Sequence, residues 1–237
     1  MNSSRVYLIP TPIADGDACL SIPKSTINII HNLNIFVVEE LRTARRFLSS
    51  ISFPRPINEV EFFVLNEHTN KSEFISEIAT TLSDRNSIGM MSEAGTPCIA
   101  DPGNWFIAWA HNNNYKVIPL LGTSSITMAL MASGLNGQQF TFNGYIPVRA
   151  EEKIPFINNL VNRISKDNFS QIFIETPYRN NNIIDTLLKT VPNHIYLCIA
   201  SDISGENEFI KTLTIADWKK NKPILDKKPT IYILGQP

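Results

Sequence analysis

The sequence contains little glycine and cysteine, has no long apolar run and carries almost no net charge. Its three cysteines, Cys19, Cys98 and Cys198, form no CxxC pair, which argues against a disulfide framework and fits a reducing compartment. No apolar run approaches the roughly 18 residues of a membrane-spanning helix. The first residues, MNSSRVYLIP, lack the features of a signal peptide. We therefore predict a soluble, cytoplasmic protein that does not contact a membrane.

The charge balance also limits the possible partners. Twenty-one Lys and Arg oppose twenty-two Asp and Glu, for a formal net charge of −1. A generally basic nucleic-acid-binding surface is thereby excluded, so any contact with RNA or DNA needs a local patch. The four histidines, at positions 31, 68, 111 and 194, show no metal-ligand spacing. We predict no bound metal.

What glycine there is lies mostly in one region. Only ten glycines are present, and seven of them fall between positions 89 and 144. Glycine is the residue that tolerates unusual backbone angles and close approach of a ligand. The clustering predicts a segment with special backbone requirements in the middle of the chain.

The first half of the chain alternates short apolar strands with helical patterns. The predicted strands are VYLIP (6–10), IFVVE (35–39), SIGMMS (87–92) and YKVIPL (115–120). The predicted helices cover 22–32, 42–50, 73–82, 105–111 and 124–132. Such alternation is typical of a parallel sheet with helices on both faces. It predicts an N-terminal α/β domain over residues 1–133.

The pattern changes after the SGLNGQQ segment (133–139), which we interpret as a linker. The predicted strands beyond it are FTFNGY (140–145), QIFIET (171–176), HIYLCIAS (194–201), EFIKTLT (208–214) and TIYILG (230–235), with helices only at 154–164 and 181–190. The short turn between the third and fourth of these strands indicates an antiparallel hairpin. The second α/β domain, residues 140–237, is therefore predicted to contain a mixed sheet.

Three strand ends carry unusual sequences, and ligands of α/β proteins bind at the carboxyl ends of strands. The first is the proline-rich loop 10–17, and the second is the segment 92–103, SEAGTPCIADPG. The third, LGTSS (121–125), offers hydroxyls at the start of a helix. In the second segment Asp101 and Pro102 are also suited to cap the next helix. Neither GxGxxG nor GxxxxGK[ST] occurs, which disfavours a Rossmann dinucleotide site and a P-loop.

Together these segments resemble the tetrapyrrole methylase superfamily of S-adenosylmethionine-dependent methyltransferases. The resemblance is closest to the branch of small-subunit ribosomal RNA 2′-O-ribose cytidine methyltransferases. TPIADG (11–16), EELR (39–42), SEAGTPCIADPG (92–103), LGTSS (121–125) and IETPYR (174–179) match that branch's motifs in order and spacing. The resemblance implies two α/β domains with S-adenosylmethionine in the cleft between them, and a homodimer. It also implies a helical extension after the last strand, which would hold RNA and which this sequence does not contain.

The resemblance further implies which residues bind the cofactor. Those of the predicted first domain are Pro12, Ser92, Glu93, Ala94, Gly95, Ile99, Asp101, Thr123, Ser124 and Ser125. Those of the second are Thr176, Ala200, Pro229 and Thr230.

The residues that contact the methyl acceptor are predicted less directly from the resemblance. A ribose hydroxyl needs a base or a charge nearby as its proton leaves. Candidates are Glu39, Glu40 and Arg42 in the EELR segment, and Glu67 with His68 after it. We predict Arg42 and Glu67 as the acceptor-side, catalytic residues and assign no single base. An ordinary helix-surface charge for Arg42 and a loop histidine without a catalytic task for His68 are the alternatives.

Three functions are compatible with these motifs. The first is an S-adenosylmethionine-dependent methyltransferase acting on a ribose in ribosomal RNA. The second is a methylase of a tetrapyrrole or another small molecule. The third is a cofactor-binding module that has lost catalysis, which the altered motifs EELR and LGTSS would suit.

The local basic patch that RNA requires could come from Arg42, Arg45 and Arg46, which share one helix face.

Overall fold

A computed structural model describes residues 4–14, 18–83, 87–225 and 227–237. The end of the predicted TPIADG loop, Asp15 and Gly16, lies outside the described residues. The chain divides into two compact units, Met1–Ser124 and Ser125–Pro237. Each unit contains one five-stranded sheet.

The first unit alternates strands and helices, as predicted. Its strands are β1 (Arg5–Ile9), β2 (Ile35–Val38), β3 (Glu61–Val64), β4 (Ile88–Met91) and β5 (Lys116–Pro119). Its helices are α1 (Ala18–Ser21), α2 (Lys24–Ile30), α3 (Leu41–Ser50), α4 (Lys71–Ser83) and α5 (Asn104–Asn112). A 3₁₀ turn at Ile57–Glu59 precedes β3. The sequence patterns predict all of these strands except β3.

The first sheet is entirely parallel, in the order β3-β2-β4-β1-β5. Strands β2 and β4 are buried along their whole length because helices cover both faces. Neighbouring residues of β2 point to opposite faces of the sheet. Val38 packs in the same cluster as Phe47 of α3, whereas Val37 packs in the cluster that contains Phe74 of α4. The carboxyl ends of all five strands consequently meet at one edge of the sheet.

The start of α5 corrects one expectation. Asp101 and Pro102 were expected to cap this helix, but it begins at Asn104 with Gly103 as its N-cap residue. Gly103 has φ = 122°, a value that side-chain-bearing residues rarely adopt. The loop therefore continues two residues further than expected, which leaves the carboxyl group of Asp101 outside the helix.

The second unit begins with α6 (Ser125–Ser133), which packs on β9 and β10. Its strands are β6 (Phe140–Tyr145), β7 (Ser170–Glu175), β8 (Tyr196–Ser201), β9 (Phe209–Thr214) and β10 (Thr230–Gly235). Its other helices are α7 (Ala150–Asp167), α8 (Asn180–Thr190) and α9 (Ile215–Lys220), with a 3₁₀ turn at Pro177–Arg179. The predicted boundary after residue 133 differs from this division, because α6 packs within the second unit.

The second sheet is mixed, as predicted, in the order β6-β7-β10-β8-β9. Strands β6 and β7 are parallel, whereas β8 and β9 form the expected antiparallel hairpin. Phe173 of β7 stacks on Tyr232 of β10 with ring centroids 5.5 Å apart. Helix α9 is not predicted by the sequence patterns; Trp218 secures it by donating to the carbonyl of Leu197 at 2.8 Å. Among the described helices, none is both long and apolar enough to cross a bilayer.

Gly89, in the central strand β4, provides a test of this packing. A Cβ there would lie 2.5 Å from Cδ1 of Ile9 and 2.9 Å from Cδ1 of Phe36. We expect Gly89→Ala to lower the free energy of unfolding by about 1–3 kcal/mol, as overpacking does, measured by urea denaturation. The control is Gly137→Ala, because a Cβ at Gly137 meets nothing within 4 Å. Equal stability of the two variants would contradict the packing described for β4.

Candidate functional site

Hydrogen bonds at the carboxyl edge of the first sheet join three of its strand-end loops. The amide of Thr11, after β1, donates to the carbonyl of Gly95 at 2.9 Å, and the amide of Gly95 donates to the carbonyl of Thr11 at 3.1 Å. The hydroxyl of Thr123, after β5, donates to the same Thr11 carbonyl at 3.1 Å. The hydroxyl of Thr11 donates to the carbonyl of Ser92 at 3.3 Å. Thr11, which is 2% exposed, thus connects the loops after β1, β4 and β5.

The loop 92–103 has an unusual backbone. Four of its residues have positive φ: Gly95 (76°), Cys98 (68°), Ala100 (64°) and Gly103 (122°). This region of φ costs a residue with a Cβ about 1–2 kcal/mol, and two of the four are not glycine. Such conformations persist where the surrounding structure enforces them, and they concentrate at functional sites.

The loop after β2 adds two carboxyl groups to this edge. Glu40 caps α3, because its carboxylate accepts from the amide of Thr43 at 3.0 Å. The hydroxyl of Thr43 also lies 3.4 Å from the carboxylate of Glu93 in the loop after β4. The carboxylate of Glu39 accepts from the backbone N–H of Glu93. The EELR and SEAGTP segments are therefore in direct contact.

The acidic groups at this edge raise one another's pKa values. Burial, together with the negative charges of Asp101, Glu93 and Glu67, raises the pKa of Glu39 to about 7, although the hydrogen bond from the Glu93 backbone lowers it. Burial, opposed by a hydrogen bond with Ser92 and assisted by the charge of Glu93, raises the pKa of Asp101 to about 6. Five carboxyl groups, those of Glu39, Glu40, Glu67, Glu93 and Asp101, therefore share this edge, and the pKa values of Glu39 and Asp101 lie near neutral pH.

Glu39, Ser92 and Asp101 line a small pocket at this edge. Its walls are otherwise apolar and are formed by Val37, Val38, Leu65, Met90, Met91, Pro97 and Pro102. Burial and the charge of Asp101 raise the pKa of the Cys98 thiol to about 11, so this cysteine is not a thiolate at neutral pH. Within the ranges that the structure describes, no group of three His, Cys, Asp or Glu residues could hold a metal ion.

The structure brings together the predicted cofactor residues of the first unit. Glu93, Ala94 and Ile99 are exposed, Ser92 and Gly95 are buried, and the others, Pro12, Asp101, Thr123 and Ser124, are partly exposed. All nine lie in the three joined loops. Ser125, the last residue of the LGTSS motif, is the first residue of α6 in the second unit.

The remaining predicted cofactor residues lie along one edge of the second sheet. Thr176 follows β7, and Pro229 precedes Thr230, which is paired with Glu175 of β7. The side chains there are engaged within the unit: the hydroxyl of Thr230 donates to Ser201 at 2.9 Å and accepts from Asn180 at 3.1 Å. Ala200 is fully buried in β8. The binding of the cofactor by these residues stays a prediction.

The predicted acceptor-side residues, Arg42 and Glu67, lie at the same edge of the first sheet. Arg42 is exposed in the first turn of α3. Glu67 is 84% exposed and pairs with His68 at 3.3 Å. Arg45, by contrast, packs its guanidinium over the ring of Phe62 at 5.6 Å. The catalytic roles of Arg42 and Glu67 stay predictions.

Sequence reasoning missed the structural role of Thr11 and did not distinguish Glu39 from the adjacent glutamate. The available signal was position, because Glu39 is the first residue after the buried strand β2. The perturbed pKa itself depends on three acidic neighbours from other loops, and no local pattern reveals them.

Several known proteins resemble this chain in sequence over most of its length. A relative from Vibrio cholerae is 26% identical over 213 residues, covering 90% of this chain and 69% of the relative. A relative from Pasteurella multocida is 26% identical over 235 residues, covering 97% of this chain and 78% of the relative. Both are named ribosomal RNA small subunit methyltransferase I. No family model matches the chain.

Two solved structures of uroporphyrin-III C-methyltransferase from Thermus thermophilus have the same fold. They align with 98% of this chain and 97% of their own, with TM-scores of 0.56 and 0.58 at 15% and 16% identity. One of the two is complexed with S-adenyl homocysteine. The chain therefore has the fold of these uroporphyrin-III C-methyltransferases.

The raised pKa of Glu39 predicts a pH-dependent stability. A pKa raised to about 7 in the folded state means that Glu39 stabilises the fold at low pH and that this contribution is lost as pH rises through about 7. Glu39→Gln should therefore exceed the wild type in free energy of unfolding at pH 8, by about 1 kcal/mol because the group is partly exposed. The difference should shrink toward pH 5.

Urea denaturation across this pH range measures the effect. Glu61→Gln, at an exposed position at the start of β3, is the control and should follow the wild type. Parallel pH profiles for Glu39→Gln and the wild type would contradict the raised pKa of Glu39.

Proposed function

We propose that the protein is an S-adenosylmethionine-dependent methyltransferase of small-subunit ribosomal RNA, and that its acceptor is a ribose 2′-hydroxyl. The observation that carries this proposal is the SEAGTPCIADPG loop, joined to Thr11 and Thr123 at the carboxyl edge of a parallel sheet. The names of the sequence relatives support the RNA substrate. The complexed solved neighbour supports the cofactor.

The residues at this edge suit the chemistry of the cofactor. S-adenosylmethionine has a sulfonium and an ammonium cation together with ribose hydroxyls. Glu39, Glu67, Glu93 and Asp101 concentrate negative charge here, which favours a cationic ligand and opposes a phosphate. We propose that Asp101 and the backbone around Gly95 hold the cofactor, with Pro12, Ser92, Glu93, Ala94, Ile99, Thr123 and Ser124 around it.

Bound S-adenosylmethionine supplies a methyl group already activated for displacement by its positively charged sulfur. The protein must then align the acceptor hydroxyl and remove its proton. A carboxylate with a pKa of about 7 is matched to proton transfer at neutral pH. We therefore propose that a carboxylate oxygen of Glu39 takes the proton of the ribose hydroxyl, with Arg42 and Glu67 on the acceptor side.

The homodimer that the family resemblance implies is also part of this proposal. Sedimentation of the purified chain at several concentrations tests it. A single monomeric species at every concentration would contradict it.

The charge of the site predicts how cofactor affinity depends on pH. Deprotonation of Asp101 and Glu39, with pKa values of about 6 and 7, should strengthen the attraction to a sulfonium. We expect affinity for S-adenosylmethionine to rise roughly threefold to tenfold from about pH 5.5 to about pH 7.5, measured by calorimetry. S-adenosylhomocysteine, which has no sulfonium charge, is the matched control and should show a smaller rise. Identical pH profiles for the two ligands would contradict the proposed attraction between these carboxylates and the sulfonium.

If the protein has this activity, it should transfer the tritiated methyl group of labelled S-adenosylmethionine to small ribosomal subunits that come from a strain lacking this protein. We expect Glu39→Gln to reduce kcat on the order of 100-fold or more, as loss of a general base does. Glu61→Gln should retain the wild-type rate. Mapping by mass spectrometry should locate the new methyl group on a ribose.

Several outcomes would contradict the proposal. Methylation of a base would contradict the ribose acceptor, and full activity of Glu39→Gln would contradict the assigned base. Absence of transfer by protein that binds the cofactor would contradict the RNA substrate. A uroporphyrinogen-type compound tested in parallel would then distinguish the small-molecule methylase from a cofactor-binding module without catalysis.

A further inference from the structure

The second unit exposes two tyrosines in neighbouring loops. Tyr178, in the 3₁₀ turn after β7, is 80% exposed, and Tyr145, at the end of β6, is 54% exposed. Strands β6 and β7 are parallel neighbours, so the loops that follow them leave the same edge of the sheet. A shift of register between Phe142 and Tyr145 precedes this point. The ring of Tyr178 is the more exposed of the two, so most of its surface is accessible to a ligand.

Positive charges lie beside Tyr178. The Lys227 ammonium is 5.0 Å from the centre of the Tyr178 ring. The next residue, Arg179, has a side chain that is 28% exposed. We call Tyr178, Arg179 and Lys227 the Tyr178 surface. The loop after β6 adds Arg149, whose side chain is 75% exposed and forms an ion pair with Glu152 at 3.9 Å.

Acidic groups compensate only part of the positive charge of this surface: Glu175 pairs with Arg179, whereas Lys227 has no ion pair among the described residues. Glu175 has a fully buried side chain, and Asp202 is 6% exposed and faces Lys228 at 3.5 Å. The exposed pair Glu151 and Glu152 lies in the first turn of α7, where it complements the helix dipole. Asp226 lies outside the described residues.

A buried carboxylate holds Arg179 in a fixed orientation. Oε2 of Glu175 accepts from Nη2 of Arg179 at 2.6 Å, and Nε of Arg179 donates to the hydroxyl of Thr176 at 3.0 Å. The other carboxylate oxygen of Glu175, Oε1, is buried without a hydrogen-bond partner among the described residues. A buried ion pair contributes little to stability because both charges lose their water. Its clear consequence here is a preoriented guanidinium, and such a group is suited to phosphate recognition.

This combination of groups matches the chemistry of unpaired RNA. A protein that reads single-stranded RNA stacks splayed bases on aromatic rings and contacts the adjacent phosphates with Arg and Lys. The chain carries a net charge of −1, so its affinity for RNA must come from a local surface. The carboxylates at the edge of the first unit weaken rather than strengthen this affinity, because they repel phosphates.

We infer that the Tyr178 surface binds the RNA substrate, with the Tyr178 ring stacked on an unpaired base and Arg179 and Lys227 on neighbouring phosphates. This inference rests on the proposed function, since it assigns a binding surface for the same substrate. It concerns binding only and includes no chemical step.

Binding of the full-length protein to protein-free small-subunit ribosomal RNA, titrated at several KCl concentrations, tests the inference. Tyr178→Ala should weaken binding by roughly tenfold or more, whereas Tyr178→Phe, which retains the ring, should bind like the wild type. Lys227→Ala should reduce the slope of log affinity against log salt by about 0.7, the value for one lost phosphate contact on a single strand. Arg179→Lys is preferable to Arg179→Ala, because it does not leave the buried Glu175 carboxylate without a counter-charge.

The matched control is Lys166→Ala. Lys166 is an exposed lysine in the last turn of α7, about 25 Å along that helix from Arg149 at a rise of about 1.5 Å per residue. It should leave both the affinity and the salt slope unchanged. Thermal melting and cofactor calorimetry of each variant confirm that fold and cofactor site are intact.

The outcomes separate the inference from the proposed function. If the wild type binds and methylates the RNA and Tyr178→Ala and Lys227→Ala do so equally well, the inference is overturned and the proposed function stands. If Tyr178→Ala loses cofactor affinity to the same extent as RNA affinity, the surface belongs to the cofactor site and the inference is again overturned. If the wild type binds the cofactor but neither binds nor methylates the RNA, both fail.

Discussion

The reciprocal hydrogen bonds between Thr11 and Gly95 are the constraint on which the candidate site depends. They join the ends of β1 and β4, and Thr123 attaches the end of β5 to the same residue. Because the five strands are parallel, all of their loops leave one edge of the sheet, and these bonds fix three of the loops against one another. The loop 92–103 can then maintain positive φ at Cys98 and Ala100, since neighbouring backbone holds it in place.

The same convergence explains the electrostatics of the first unit. Parallel topology brings carboxyl groups from three different loops to one edge, where burial and mutual repulsion raise the pKa of Glu39 and Asp101. A site of this kind is suited to a cationic ligand and to proton transfer near neutral pH. The second unit presents the opposite chemistry, an exposed tyrosine with cations beside it. A nearly neutral chain can thus provide both kinds of surface when its charges are segregated.

Much of the fold was predictable because its strongest signals are local. The buried runs of β2 and β4, and the ten residues of α3, follow directly from hydrophobic pattern. Strand β3 was not predicted, because it is four residues long and half exposed. Helix α9 was not predicted either, since its six residues depend on Thr214 as a cap and on the packing of Trp218.

The succession of strands and helices, and the motifs at the strand ends, can be predicted from the amino-acid sequence, because they depend on apolar periodicity and loop composition along the chain. The sequence identified the segments 92–103 and 121–125 as parts of a site for the same reason. Only the tertiary structure decided that Thr11 joins these segments, that α5 begins at Asn104 and that Glu39 titrates near pH 7. Those properties arise from contacts between residues distant in sequence, and a hydrogen bond or a pKa depends on neighbours in space rather than on neighbours along the chain.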